Sequence, residues 1–477
     1  MPDSAFAVPL TFGRRGAGAG RPSPVRSPRL LLAILLLSAI LKLAVFAAVY
    51  ARDPARILTG DSASYEGPAR ALVTSGAFSR DPSDPAVTET RRTPGYPAFI
   101  AGLYRVFGPH RPAVIAAQIA ISTLTLLIVY ALARRLWDTA TATLAALVLA
   151  LDLVSFIYAQ LLFTETLFTF FVAALGWAGV RLVGAPNDGP PDPPRPSRRP
   201  PLAVGVSAAL AALTRPIAYY LMLPTLAGVL AYAWRRGWTP RRILVVSLLT
   251  AMPWIALVEG WRLRNYLVTG SSQFSEVTGL SLLWYRGAGI VAERDGVSFR
   301  EARRRIARSL PDTTGWSEVE VGELYRREGL RLIASYPHLF VKTTMYGLVK
   351  IVAGPGRADI LHYFAGEPYE ADPAGTIRLS AAEFLRRWQV DDPRMLACLT
   401  YATAYLALLY VGVGYAVFRL LANRAAVPLA PHLFLWWLVA YLVVMAAGPE
   451  AYARFRVPVM PLLALYSAHG WLRLRQG

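Results

Sequence analysis

Apolar stretches recur along this chain, most of them roughly 17–25 residues long and so able to cross a hydrocarbon core roughly 30 Å thick. This feature constrains the fold more than any other. Inside lipid every backbone amide needs a partner within the chain, so spanning segments are helices or closed barrels, and runs of this length are helices. Ten candidate spans result, at 30–50, 112–132, 139–157, 165–183, 202–213, 216–234, 243–261, 396–418, 432–447 and 457–472. The predicted fold class is an all-α integral membrane protein with about ten transmembrane helices, amphipathic interfacial helices and a small extracytoplasmic helical region.

Composition supports this class. Of 477 residues 55% are hydrophobic, and the mean hydropathy is +0.39. The net charge of +20 comes almost wholly from arginine, with lysine only at 42, 342 and 350. In a soluble protein such charge would suggest nucleic acid. In a membrane protein it fits anionic headgroups and cytoplasmic loops, and no nucleic-acid-binding motif accompanies it. The single cysteine, Cys398, excludes an intramolecular disulfide framework and a thiolate metal cluster.

Arginine placement orients the spans. Residues 1–29 are Pro/Gly/Arg-rich and read as a disordered cytoplasmic N-terminus. The run at 30–50 is too long for a signal-peptide core and reads as the first span. Residues 30–261 then form an N-terminal transmembrane module with a first extracytoplasmic loop at 51–111. Arg195, Arg198 and Arg199 mark a cytoplasmic Pro-rich loop; Arg235, Arg236, Arg241, Arg242, Arg419 and Arg424 mark the same side. Residues 262–395 are left as one extracytoplasmic region, and 396–477 as C-terminal transmembrane helices. Ser298-x-x-Glu301, Ser317-x-x-Glu320 and Ser380-x-x-Glu383 read as helix starts in that region. The segment 337–354, apolar but holding Lys342 and Lys350, reads as an interfacial helix; were it to span, all later orientations would invert.

Charged residues cluster next to span ends on the extracytoplasmic side. Asp61 opens a segment in which Tyr65, Ala69, Leu72 and Gly76 share one helical face and Glu66, Arg70 and Thr74 the other. Asp61 can be that helix's N-cap, a solvated loop residue or a reacting group. Arg91 and Arg92 precede Thr93-Pro94-Gly95-Tyr96-Pro97, a rigid turn. Glu165 stands in the apolar sequence 161–168, either as a functional carboxylate or as a first-turn acid favoured by the helix dipole. Arg215-Pro216 breaks an apolar stretch, as is tolerated where the freed backbone is buried or lines a cavity. Arg264-Asn265-Tyr266 follows a span, and Glu450, Arg454 and Arg456 crowd the last outer loop. Interfacial snorkelling is the alternative for each of these arginines. Arg300, Arg304 and Arg308 form a stripe on one helix, with Glu301 and Arg305 spaced to pair; that face reads as solvated or headgroup-facing.

Taken in order, Gly60-Asp61-x-x-x-Tyr65, Arg92 to Pro97, Glu165-Thr166-Leu167-Phe168, Thr214-Arg215-Pro216, Arg264-Asn265-Tyr266 and Arg454 to Pro458 resemble the polytopic GT-C glycosyltransferases. The likeness is to the protein O-mannosyltransferase and aminoarabinose-transferase-like group of bacteria, glycosyltransferase family 39-like. The resemblance implies a polyprenyl-phosphate sugar donor, a lipid, glycan or protein acceptor, inversion at the anomeric carbon, and an active site on the outer face of the bacterial inner membrane. It implies that the acidic residue of the first loop, here Asp61, is the catalytic base, with Glu165 as the second catalytic candidate. Tyr65, Arg92, Tyr96, Arg215, Arg264, Asn265, Arg454 and Arg456 are the candidates for donor phosphate and sugar. Some relatives carry two adjacent acids in the first loop. Ser62 follows Asp61 here, so a divalent metal has no support from the sequence.

Competing readings remain at this stage: a transporter or flippase of lipid-linked sugars, a non-catalytic envelope assembly protein, and a lipid-linked polysaccharide ligase or polymerase. A transporter should place its charges near the bilayer midplane and often shows an internal repeat. Here the charges gather at one face, and no repeat is visible.

Overall fold

The computed structural model describes residues 27–184, 198–368, 390–423 and 428–475. The N-terminal arginine run before Ser27, Arg195, the helix start at Ser380 and Arg424 lie outside the described residues.

The described residues begin with α1 (Ser27–Arg52), followed by α2 (Ser62–Thr74), the antiparallel pair β1 (Ser79–Asp81) and β2 (Asp84–Thr88), and α3 (Gly95–Phe107). Next come α4 (Arg111–Leu136), α5 (Thr139–Ala150), α6 (Leu153–Tyr158), α7 (Glu165–Val183), α8 (Arg199–Thr214), α9 (Met222–Arg235), α10 (Pro240–Trp254) and α11 (Gly260–Thr269). A region of shorter helices follows: α12 (Val277–Ser281), α13 (Ala288–Asp295), α14 (Phe299–Ser309), α15 (Glu318–Ser335), α16 (Pro337–Ala353) and α17 (Arg357–Ile360). The chain closes with α18 (Pro393–Ala422), α19 (Leu429–Ala446) and α20 (Met460–Leu474).

Seven helical stretches among the described residues are long and apolar enough to cross a membrane: α1, α4, α7, the segment 216–235, the segment 240–269, α18 and α19. The other three expected spans are shorter. The stretch 139–157 is split, because Asp152 accepts from the Ser155 N–H at 2.9 Å and starts a new helix there. That leaves α5 with 12 residues, only about 18 Å of helix. α8 and α20 have 16 and 15 residues. Both short helices lie deep in the bundle, and Met460 to Gly470 of α20 is buried throughout. Short helices are tolerated there because their ends face protein rather than lipid.

Burial sorts the bundle. α7 is its centre, with 67% of its apolar window buried, against 22% for α1. Phe168, Val172 and Leu175 of α7 pack on Val204, Ala208 and Ala211 of α8, with Leu462 and Leu465 of α20 in the same core. α1 shows Leu36, Leu37 and Ile40 outward, as a lipid-facing helix must. α18 lies along α20 at close range: a methyl group on Gly470 would overlap the Gly412 carbonyl.

Near the start of α16 (17 residues), Lys342 reaches Glu293 of α13 at 2.5 Å. Beyond its end, Phe364 O accepts from Arg56 of the first loop at 2.7 Å, and the His362 ring lies 2.8 Å from Leu58 O. α16 is not one of the seven stretches long and apolar enough to cross a membrane.

Candidate functional site

Five helix ends converge. They are the start of α2, the start of α3, the start of α7, the break between α8 and α9, and the short 3-10 turn Ala453–Val459. They bring Asp61, Tyr65, Arg92, Glu165, Arg215 and Arg454 together from across 394 positions (61 to 454) of sequence.

Asp61 sits at the N-cap position of α2 without making a side-chain cap hydrogen bond. Its carboxylate turns instead to Arg92, with Oδ1 2.7 Å from Nη2, and its Oδ2 lies 3.9 Å from Nη1 of Arg454. The side chain is 44% exposed and borders the cavity. Burial alone would raise its pKa, but Arg92, Arg454 and Arg215 outweigh that cost and hold the carboxyl below the usual aspartate range. It is therefore ionised at neutral pH.

Arg92 also donates to the Tyr65 hydroxyl at 3.0 Å and stacks on that ring, 4.4 Å from its centroid. Tyr65 in turn sits edge-on to Tyr96 and Phe163. The turn that presents Arg92 is held by Glu89, whose Oε1 accepts the backbone N–H of Arg91 at 2.5 Å and of Arg92 at 2.9 Å. Gly95 explains the rest of that turn. An added Cβ would lie 2.7 Å from Leu213 O and 2.9 Å from Thr214 N, so only glycine lets α3 start against the end of α8, one residue before Arg215.

Glu165 is fully buried, with 0% of its side chain exposed. It pairs with Arg215 and lies 3.3 Å from Nε of Arg454. An unpaired carboxylate there would cost several kcal/mol. Held by two guanidiniums, Glu165 fixes both of them at the cavity wall, while its own oxygens do not reach the cavity. Phe455 stacks between the two, 5.6 Å from Arg215 and 4.7 Å from Arg454.

The cavity in front of this cluster measures about 1530 Å³. Asp61, Arg92, Arg215 and Arg454 line it, together with apolar side chains including Ile217, Tyr220, Phe340 and Val444 and with arginines of α14. Among the described residues no group of three or more His, Cys, Asp or Glu side chains could hold a metal ion.

The other sequence candidates sit elsewhere. Arg456, two residues from Arg454, is 2% exposed and donates through Nη1 to Ile351 O at 2.6 Å and Gly354 O at 3.0 Å, tying the 3-10 turn to the end of α16. Asn265 is buried and donates to Gln273 O at 3.1 Å. Arg264 stacks on Trp261 and contacts Glu89 O at 3.4 Å, behind the turn that presents Arg92. The Tyr96 hydroxyl donates to Gln118 at 2.6 Å in the core below Tyr65.

The structure adds two details to the sequence reading. On α2, Glu66 of the polar face is buried among Arg70, Arg111 and Tyr104. The α14 arginines Arg300 and Arg304, read as part of a solvated or headgroup-facing stripe, are exposed and, with Arg303, line the cavity.

Residues 91–261, which include Arg92, Tyr96, Glu165 and Arg215, match the family model described as dolichyl-phosphate-mannose-protein mannosyltransferase. Among solved structures, the chain is similar to the archaeal oligosaccharyltransferase AglB from Archaeoglobus fulgidus, in complex with an inhibitory peptide and a dolichol-phosphate. The identity is 12%, the TM-score 0.51, and the match covers 94% of this chain and 50% of that one. The oligosaccharyltransferase of the same organism in complex with Zn and sulfate gives 12% identity and a TM-score of 0.50, over 93% and 49%. ArnT from Cupriavidus metallidurans in the apo state is 16% identical, with a TM-score of 0.37 over 90% and 77%. The chain spans about half the length of the two archaeal structures. No curated protein sequence matches it. The fold is that of the polytopic GT-C membrane glycosyltransferases, as the ordered motifs indicated.

Proposed function

We propose that the protein is a membrane glycosyltransferase that moves a sugar from a polyprenyl-phosphate donor to an acceptor hydroxyl, with inversion, on the extracytoplasmic side of a bacterial inner membrane. The observation that carries this reading is the Asp61 carboxylate. It leaves its own helix uncapped to stand ionised at the cavity, between Arg92 and Arg454.

Charge and shape support the donor. The cluster holds three guanidiniums, Arg92, Arg215 and Arg454, against two carboxylates, Asp61 and Glu165. Within these ion pairs guanidiniums outnumber carboxylates, while Glu89 lies behind Arg92 with its Oε1 taken up by backbone N–H groups; such a cluster suits the single negative charge of a polyprenyl phosphodiester. Guanidinium forks suit phosphate oxygens, and the apolar flank at Ile217, Tyr220 and Val444 suits an isoprenoid chain. The archaeal structure similar in fold was solved with a dolichol-phosphate.

The chemistry is a single displacement. The acceptor oxygen attacks the anomeric carbon and its proton passes to Asp61. The bond from that carbon to the phosphate oxygen breaks, and the electron pair leaves with polyprenyl phosphate, where Arg215 and Arg454 stabilise the charge. Glu165, buried behind both arginines, positions them and takes no proton. Donor binding also assists the base, because the phosphate offsets the positive field that makes Asp61 a weak base in the empty site.

The test is mass spectrometry of envelope glycans and glycolipids from a strain lacking the gene, complemented with wild type or with Asp61→Asn. A sugar that is lost in the deletion, restored by wild type and not by the variant supports the reading. Identical envelopes in all strains contradict it.

A further inference from the structure

Once the donor's phosphate is placed, the cavity still holds uncompensated positive charge. Arg80 and Arg91 share Glu318, and Arg286 lies 3.6 Å from Glu450. On α14, Arg304 is 3.6 Å from Glu301, and Arg305 turns away to Asp295 at 2.9 Å. Arg300 and Arg303 also line the cavity, yet among the described residues neither has a carboxylate within ion-pair distance. Both are exposed.

The local structure presents these two side chains deliberately. Ser298 caps α14 by accepting the Glu301 N–H. Phe299, Ala302 and Ile306 anchor the opposite face in a small core with Leu283 and Val291. Arg303 is laid over Trp284 and Tyr285, 5.6 and 5.8 Å from their ring centroids. Those two aromatics belong to a wide π-helical turn, Leu282–Gly287, a backbone form found often at functional sites. A guanidinium stacked on aromatic rings keeps its N–H edge free for an oxyanion.

We propose that Arg300 and Arg303 form an oxyanion-binding subsite for the acceptor, so that the molecule receiving the sugar carries a phosphate or carboxylate group beside its reacting hydroxyl. The inference rests on the sugar-transfer reading and adds the acceptor's chemical class. The proposed donor has a single phosphate, already assigned to the cluster around Asp61, so a second oxyanion at Arg300 and Arg303 belongs to another molecule. Anionic headgroups of the surrounding bilayer are the competing source of the same chemistry.

The test uses purified protein in nanodiscs and calorimetric titration with inorganic pyrophosphate as the probe. The donor site is first saturated with polyprenyl phosphate, in discs of phosphatidylcholine. Wild type should still bind pyrophosphate saturably. The Arg300→Gln/Arg303→Gln double variant, whose changes leave the anchored face of α14 untouched, should bind it roughly tenfold or more weakly, the weight of one charge-assisted hydrogen bond. Its polyprenyl phosphate binding should hold, which also shows that it is folded. Equal pyrophosphate binding by both proteins, or its disappearance once polyprenyl phosphate is bound, overturns the subsite. In discs containing phosphatidylglycerol the pyrophosphate binding should persist; its abolition there would assign the arginines to the bilayer surface and overturn the acceptor proposal. Failure of the donor reading looks different. Polyprenyl phosphate would then bind without saturation or without regard to Arg454→Gln, while the comparison of wild type and double variant in phosphatidylcholine discs stays readable.

Discussion

Two carboxylates in one cluster have opposite environments, and the proposed function gives them different work. Asp61 is half exposed and depressed in pKa by three arginines, whereas Glu165 has no exposed surface and holds two of those arginines in place. Glu165→Gln should therefore weaken donor binding, raising KM or Kd roughly tenfold or more with a smaller change in kcat, because Arg215 and Arg454 lose their anchor. A fall in kcat with unchanged donor affinity would instead make Glu165 a reacting group. The pH dependence follows from the sign of the Asp61 shift. A carboxyl depressed in the folded state keeps its ion pairs at neutral pH and loses them only as pH falls through its lowered pKa. The acid limb of kcat/KM should lie below the usual aspartate range. Arg454→Gln removes one of the depressing charges, so in that variant the acid limb should move to higher pH. An unmoved limb would mean that a different group controls it.

At the scale of elements, the site depends on how closely two helix ends approach. Gly95 lets the start of α3, three residues after Arg92, touch the backbone at Leu213 and Thr214, just before Arg215. Gly95→Ala should cost roughly 1–3 kcal/mol of stability through overpacking and lower transfer activity beyond that, read by thermal unfolding alongside a transfer assay. Wild-type activity in a destabilised Gly95→Ala protein would separate the contact from the site. The sequence showed this turn as rigid, through its prolines and glycine, but not why it must be glycine, because the partner backbone lies 118 residues away (95 to 213). Similar limits apply nearby. Arg454 and Arg456 look alike in sequence, and only the 3-10 turn decides that one reaches the cavity while the other is spent on carbonyls of α16. The α14 pattern identified which face is charged, but an amphipathic helix does not encode what that face meets. Glu165 and Arg215 stood out in the sequence because a charge or a break in an apolar setting is costly, whereas Asp61, in a polar loop, was singled out only by its place in the ordered motifs of the resemblance.

At the scale of the molecule, the seven long helices and three shorter ones gather the candidate groups at one end of the bundle. The opposite end carries Arg134, Arg135 and the Arg473–Asp138 pair at 4.0 Å. If that arginine-bearing end is cytoplasmic, reporters fused after Asp84 and Ser309 should read as extracytoplasmic, and one after Asn423 as cytoplasmic. A cytoplasmic signal at Ser309 would invert the placement of the site. The central claim, that Asp61 is the base in transfer from a lipid phosphate, is tested most directly by turnover of purified protein on a polyprenyl-phosphate sugar, with donor binding measured separately. Asp61→Asn keeps the size of the side chain and the preference for a helix start. It should insert, bind donor within a few-fold of wild type and lose roughly 10²–10⁴-fold in turnover, the range of a lost general base. Near-normal turnover by a folded, donor-binding Asp61→Asn protein would contradict the account.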